Sequence, residues 1–286
     1  MMSLVPIDLT IVIPVLNEEK NIALCLDAIG KDFARRVVVI DSGSTDRTRK
    51  IAIDHGAEVI DFEWNGQFPK KRNWFLRNHT PSTSWVLFLD ADEHLTDSFK
   101  KEASLVLSHS KKSGYWLNYT IHFLGSRLKG GYPLRKLALF RIGSGEYEEI
   151  AEERWSNLDM EIHEHPVLSG EIGMIKAPID HRDDRGIDHY LAKHKDYASW
   201  EASRIRAAKA NPSAFKRWTW KQKLKFHLSQ SWMAGPVYFL GSYVLMGGFR
   251  DGSRGFVFAL LKAAYFTQVY CKIRESLPVM RDESKR

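Results

Sequence analysis

In the stretch WVLFLDADEHL, three carboxylates, Asp90, Asp92 and Glu93, follow directly on an apolar run that closes at Leu89. Like charges this close repel one another and lose water as they meet a buried strand, so they persist only where something positive lies between them. A metal ion or a basic ligand meets that need. Asp90 and Asp92 alternate around Ala91, so at a strand end both side chains can point the same way. Two hard oxygen donors so placed suit Mg2+ or Mn2+ shared with phosphate oxygens. An isolated Asp-x-Asp also fits a solvated acidic turn; the buried strand in front of this one argues against it.

Other residues able to do chemistry cluster in three places. FPKKRNWFL puts Lys70, Lys71 and Arg72 shortly before the acidic strand, as an anion-facing group or as a solvated helix start. MEIHEHPV carries His163, Glu164 and His165, where a carboxylate or imidazole can serve as a general base. His163 and His165 would share one face of a strand, the rival reading being a zinc site, but no second ligand pair is near in sequence. IDHRDDRG holds His181 among acids, either a metal ligand or a hydrogen-bonded surface residue.

The elements that must position these groups alternate over the first hundred residues. LTIVIPV (9–15) reads as a buried strand, and the segment after Asn17 has helical spacing at Ile22, Leu26 and Ile29. RVVVID is a second strand ending at Asp41, followed by a loop with Ser and Thr capping candidates, a helix and a closing Gly56. AEVIDF, a short helix in PKKRNWFLRN, and WVLFLD continue the series. Alternation of this kind implies a parallel sheet covered on both faces. Ligands of such sheets bind beyond the carboxyl ends of the strands, which is where Val15–Glu18, Asp41 and Asp90–Asp92 fall. After Thr96 two strands are expected in SGYWLNYTIHFLG and YPLRKLALFRI, residues 146–180 read as irregular, and a long amphipathic helix starts near Ile187.

The totals bound the class. A chain of 286 residues with 44% hydrophobic and 27% charged residues can bury a core as one large domain, or one domain with an appendage. Cys25 and Cys271 fit neither a disulfide framework nor a zinc site, so a reducing compartment is the simplest reading. The N-terminus lacks a basic flank and enters a strand pattern almost at once, so no signal peptide is expected. Charge is uneven. Residues 201–286 carry 16 Lys and Arg against 5 Asp and Glu, and no acid lies between Glu201 and Asp251. Basic residues interleave there with Phe215, Trp218, Trp220 and Phe226, and an uncharged stretch broken by glycines and Pro236 runs from Leu228 to Phe249. Nucleic acid would suit the charge but not the apolar helices. The plane of an anionic membrane surface suits both, and a buried helical subdomain is the plain alternative.

IPVLNEE, VVVIDSGSTDRT and LDADE, in that order, make the sequence resemble the family 2 glycosyltransferases, closely over residues 9–95 and loosely beyond. The resemblance implies an α/β GT-A fold, Rossmann-like and mostly parallel with helices on both faces, and the basic, aromatic C-terminus adds to it a helical membrane-associated region. It implies a metal-dependent, inverting transfer of a sugar from a nucleoside diphosphate sugar, UDP-linked by preference, to a hydroxyl of an envelope glycan or glycolipid. Pro14, Asn17 and Glu18 would line the nucleoside pocket, Asp41 meet the base and Asp90 the ribose side. Asp92 would hold Mg2+ or Mn2+ against the diphosphate, and a late His, matched here to His181, would join it. A haloacid-dehalogenase-type phosphatase also has a strand followed by Asp-x-Asp, but expects a Thr or Val soon after and its nucleophile strand near the domain start.

The closer resemblance is to envelope-polysaccharide members, including lipopolysaccharide-core enzymes, which carry a Gln-Lys/Arg-Asn motif where this chain has Lys71-Arg72-Asn73. Arg72 and Asn73 are therefore donor-site candidates, while the missing Gln leaves donor identity open. A His-Glu pair of that subgroup matches His163 and Glu164, with Glu164 as the base. The expected domains are 1–184, split at 96/97 into a nucleotide-sugar half and an acceptor half, and 185–286 as a basic region docking on the membrane. The expected location is cytoplasmic, attached peripherally to the inner face of a bacterial inner membrane. A divalent-metal phosphohydrolase on nucleotide sugars, or a non-catalytic membrane-bound assembly factor, would share the fold but lack the transfer.

Overall fold

The computed structural model describes residues 6–149, 165–183, 185–210 and 220–275. They form two compact units: the chain up to Leu128 with Pro133–Arg185, and Lys129–Tyr132 with the chain from Gly186 onward.

The first unit is built on one sheet. β1 (Ile7–Val15), β2 (Ala34–Asp41), β3 (Glu58–Asp61) and β4 (Trp85–Phe88) are parallel, in the order β3-β2-β1-β4. β1 explains why. Ile11 and Ile13 enter one apolar cluster with α1 (Ile22–Ile29) and α4 (Asp97–Leu107), while Val12 enters another with Phe75 of α3 (Lys71–Asn78). A strand apolar on both faces must be covered on both, which requires crossover helices and hence parallel neighbours. Pro14 would interrupt a central strand, but the β1–β4 pairing stops at Val12, so it falls two residues past that ladder while still registering with Ile40 of β2.

Beyond β4 the sheet is mixed. β8 (Leu134–Arg141) is antiparallel to β4 and to β6 (Gly114–Phe123), which pairs in parallel with β11 (Ile172–His181); β5 (Glu93–Leu95) closes the far edge against β11. Short β7 (Ser126–Arg127) pairs with β6, and β9 (Gly145–Tyr147) with β10 (Pro166–Leu168). Here the expectation of irregular structure over 146–180 fails. β11 is ten residues long and inside the sheet, with Ile175 and Ile179 fully buried. Its register shifts between Ile175 and Pro178, so Lys176, Ala177 and Pro178 break the alternation that marks a strand in sequence. The helix after β2, α2 (Thr48–Asp54), is also capped differently from expectation: Asp46 Oδ1, not a Ser or Thr hydroxyl, accepts from the Thr48 backbone N–H at 2.9 Å. Thr96 does cap α4, accepting from Phe99 N at 3.1 Å, and its hydroxyl donates to Pro178 O at 2.7 Å, tying β5 to β11.

The second unit is helical: α5 (Ile187–Ala210), α6 (Trp220–Ser229), α7 (Ala234–Phe239) continuing into a π-helical turn (Leu240–Leu245), a 3-10 turn (Gly248–Asp251) and α8 (Gly252–Arg274). Ala198, Ile205, Ala208, Phe226 and Val269 form its core. The chain at 129–132 joins it because Asp251 accepts from the backbone N–H groups of Lys129 and Gly130, both at 2.9 Å.

Candidate active site

At the carboxyl ends of β1 and β2 the two following loops are laced together by polar groups. Asn17 takes a left-handed backbone, φ 56, which Asn tolerates better than most residues. Its N–H donates to Ser44 Oγ at 2.9 Å, and its side-chain oxygen accepts from Thr45 N at 2.9 Å. Glu18 N donates to Thr48 Oγ1 at 2.7 Å. Asp41, buried at the end of β2, accepts at Oδ1 from the backbone N–H and the hydroxyl of Ser44, at 2.9 and 2.6 Å. These loops lie beside β1, the strand at which the order β3-β2-β1-β4 reverses and beyond whose carboxyl end ligands of such sheets bind. Of the expected nucleoside-side residues, Pro14 is buried in β1, Asn17 organises the rim, and Glu18 and Asp41 stand at adjacent strand ends.

The acidic cluster after β4 meets cations of the chain itself. Arg72 Nη2 lies 2.9 Å from Asp90 Oδ1 and Lys136 Nζ 2.6 Å from Asp90 Oδ2, while Lys136 also pairs with Glu93. Glu93 is fully buried, accepting from Asp90 N at 3.0 Å as well. Burial pushes its carboxyl up to about 7; the Lys136 ammonium opposes the rise, and Asp90 and Asp92 add to it. Lys136 responds the other way: its desolvation is outweighed by Asp90 and Glu93, which hold its ammonium well above the usual lysine range. The sequence suggested a bound ion as the missing positive charge. For Asp90 and Glu93 the chain supplies it through Arg72 and Lys136.

Asp92 faces a different set. His181 Nε2 is 3.7 Å and Arg185 Nη2 3.6 Å from Asp92 Oδ2, and Arg185 also reaches Glu18 Oε1 at 2.5 Å and Asp183 Oδ1 at 2.7 Å. The antiparallel pairing of β5 with β11, which sets His181 opposite Glu93, is what brings the late His to the acidic turn. A carboxylate oxygen and an imidazole nitrogen at this spacing are within reach of one ion, since bonds to Mg2+ or to zinc-like ions are about 2.1 Å. Among the described residues no group of three or more His, Cys, Asp and Glu is arranged to hold a metal. Asp92 and His181 are thus two groups that one ion could bridge, and the described residues add no third His, Cys, Asp or Glu to them.

Two sequence candidates part company at α3. Arg72 stands in the cluster, its guanidinium 5.3 Å from the Tyr147 ring centroid. Asn73 is fully buried, and its amide exchanges two 2.9 Å hydrogen bonds with the main chain of Tyr147. It holds the main chain of Tyr147, the residue whose ring lies against Arg72. His163 and Glu164 lie outside the described residues. Sequence reasoning missed Lys136 and Arg185. Lys136 carries a signal in retrospect, a charge inside the strand pattern LRKLALFR, whereas Arg185 lies in a charged run, HRDDRG, that singles out no member.

The sequence profile described as Glycosyl transferase family 2 matches residues 10–155, and the chain belongs to that family. Its fold, a parallel Rossmann-like half continued by a mixed half, is the GT-A arrangement. The chain is 26% identical over 268 residues to the lipopolysaccharide core biosynthesis glycosyltransferase LpsC of Rhizobium meliloti (strain 1021), covering 90% of this chain and 88% of that one. It is also 26% identical over 270 residues to an uncharacterized glycosyltransferase of Rickettsia felis (strain ATCC VR-1525 / URRWXCal2), covering 91% and 87%. A solved structure of glucosyl-3-phosphoglycerate synthase from Mycobacterium tuberculosis, in complex with Mn2+, UDP and glucosyl-3-phosphoglycerate, is similar over 67% of this chain and 78% of that one, with TM-score 0.40 and 19% identity.

Proposed function

We propose that this family 2 glycosyltransferase moves one sugar, with inversion, from a nucleoside diphosphate sugar to a hydroxyl of an envelope glycan or glycolipid of the lipopolysaccharide-core type. The observation that carries the reading is that Glu18, Asp41, Asp90 and Asp92 all stand just at or past the carboxyl ends of three adjoining parallel strands, with Arg185 joining Glu18 to Asp92. The similarity to LpsC supports the acceptor class, and UDP is the nucleotide we expect.

In this reading Asp41 meets the base and Asp90, fixed by Arg72 and Lys136, the ribose side, with Pro14, Asn17 and Glu18 lining the pocket. Asn73 serves the donor through Tyr147 and Arg72. Asp92 and His181 would hold Mg2+ or Mn2+, and such an ion would supply positive charge to offset that of the leaving diphosphate. Arg185, bridging Glu18 and Asp92, is placed to exchange those carboxylates for the diphosphate as donor enters. The acceptor oxygen attacks the anomeric carbon, the anomeric carbon–oxygen bond breaks with its electron pair leaving on the diphosphate, and the acceptor proton passes to Glu164, with His163 beside it. The transfer takes place at the cytoplasmic face of a bacterial inner membrane, where a lipid-borne acceptor is presented.

The test is nucleoside diphosphate release with lipopolysaccharide-core glycolipids truncated at successive sugars, with the product anomer read by NMR coupling. Transfer with inverted configuration that falls about 10²–10⁴-fold in Glu164→Gln, donor binding unchanged, is the expected result. Retained configuration, or release of free sugar irrespective of acceptor, would sink it.

A further inference from the structure

The α7–α8 hairpin of the helical unit is built inside out for a water-exposed element. Its seam is small: Gly235 packs so close to α8 that an added Cβ would lie 2.9 Å from Ala263 O, and one on Gly255 would lie 2.0 Å from Gly248 O. Ala259, Ala263 and Ser242 complete the buried seam. Aromatic rings pair across the hairpin, Phe256 with Phe239 and Tyr243 and Phe266 with Tyr238, but the aliphatic side chains and Phe249 at the tip point outward. Leu245 is 83% exposed, Leu240 57% and Phe249 56%, and Val244, Phe256 and Leu260 are exposed beside them. Backbones drawn together by small residues, with bulky side chains outside, is the packing of helices whose surroundings are apolar. Phe256 meets the rings of Phe239 and Tyr243 edge-on, each at 5.5 Å between centroids, whereas Leu240, Val244, Leu245 and Phe249 stay at least half exposed.

Charge indicates what does. Arg250 and Arg254 are exposed at the same tip, in the connection and first turn of α8. The acid among them, Asp251, is turned inward on the backbone N–H groups of Lys129 and Gly130. The tip thus presents apolar bulk with two arginines and no outward carboxylate, which fits an anionic lipid surface.

We infer that this tip, the π-helical turn, the 3-10 turn and the first turns of α8, inserts into the interfacial zone of an anionic bilayer without crossing it. By length and composition Gly248–Arg274 could span. The C-terminal part of α8 is engaged elsewhere: Lys262 Nζ sits 2.9 Å from His194 Nε2, and Arg206 Nη1 donates to Lys272 O at 2.9 Å, both partners on α5. The apolar part left over is far shorter than the ~20 residues a span needs. The inference rests on the reading of a membrane-borne acceptor and adds the element that reaches the membrane.

The test uses the full chain in flotation with vesicles of phosphatidylcholine alone or mixed with phosphatidylglycerol. Wild type should float with the anionic vesicles, less so as salt rises. Leu245→Asp with Phe249→Asp should abolish flotation with both. Arg250→Gln with Arg254→Gln should lower binding to anionic vesicles about tenfold or more and leave the residual binding to neutral ones unchanged. Far-UV circular dichroism and the donor-induced thermal shift should stay at wild-type values in both variants, which separates this inference from the transferase reading. Flotation that the tip substitutions do not change would overturn it, as would wild type that fails to float. So would resistance to an alkaline carbonate wash, the mark of a span, or a lipid-free dimer that Leu245→Asp dissolves, the mark of a second copy covering the face.

Discussion

Lys262 carries its charge in a half-buried place, and the chain should be more stable without it. Its ammonium lies 5.7 Å from the ring centroids of both Tyr190 and Phe258 and 2.9 Å from His194 Nε2, and the like charge of Lys193 acts on it. Burial pushes its pKa from the ordinary 10.5 down to about 8, and Lys193 adds to the fall. At ~1.4 kcal/mol per pH unit, that difference destabilises the folded state by about 3 kcal/mol wherever the lysine is charged in both states. The sign follows from proton counting. Between pH 8 and 10.5 the unfolded chain holds more protons, so stability climbs with pH across that window; below it the whole penalty stands, and above it the penalty is gone. Lys262→Met keeps the stem and removes the charge. Allowing about 1 kcal/mol for the lost hydrogen bond to His194, the variant should be about 2 kcal/mol more stable than wild type near neutral pH. The gap should close steadily as pH approaches 10.5. Urea unfolding of both proteins at several pH values from neutral to 10.5 measures it. A variant less stable than wild type near pH 7, or a gap that does not narrow with pH, would refute the reasoning.

Three further outcomes follow from the packing. Asn73→Ala unpairs the buried N–H and C=O of Tyr147, so stability should fall by about 1–3 kcal/mol for each group left unsatisfied; donor affinity should weaken too, through Tyr147 and Arg72, as seen by denaturation and donor titration. Lys136→Met leaves Glu93 buried without its cation and should cost about 3–5 kcal/mol, with Lys136→Arg restoring part of it in the same unfolding measurement. Gly255→Val drives a side chain into Gly248 O and should part the hairpin, lowering the melting temperature and flotation together.

The strands that carry the site were readable because each is an apolar run stopping at a polar or acidic residue: Leu16 before Asn17 and Glu18, Val39 and Ile40 before Asp41, Leu89 before Asp90. Doubly buried parallel strands need no alternation, so their pattern survives in one dimension. β11 was not readable, since its register break and Pro178 erase the period while pairing with β6 and β5 restores the strand. The partners of the carboxylates were hidden for a related reason. Lys136 arrives from an antiparallel strand 43 residues past Glu93, and Arg185 from the end of the unit, and only the sheet order brings them to the acids. Asn73 shows the reverse case: a residue matched to a donor-site motif whose side chain is spent on holding a neighbouring strand.

The central claim is that the acidic cleft binds a sugar nucleotide through a divalent ion. The most direct test is the melting temperature of wild type and Asp92→Asn against UDP-, GDP-, CMP- and dTDP-sugars, with Mn2+ and with chelator, because a ligand of the folded state raises it by mass action. We predict a rise with one nucleotide, UDP by expectation, that needs the metal and is absent in Asp92→Asn. A well-folded wild type that responds to none of them, or an equal rise in Asp92→Asn and in chelator, would contradict the account.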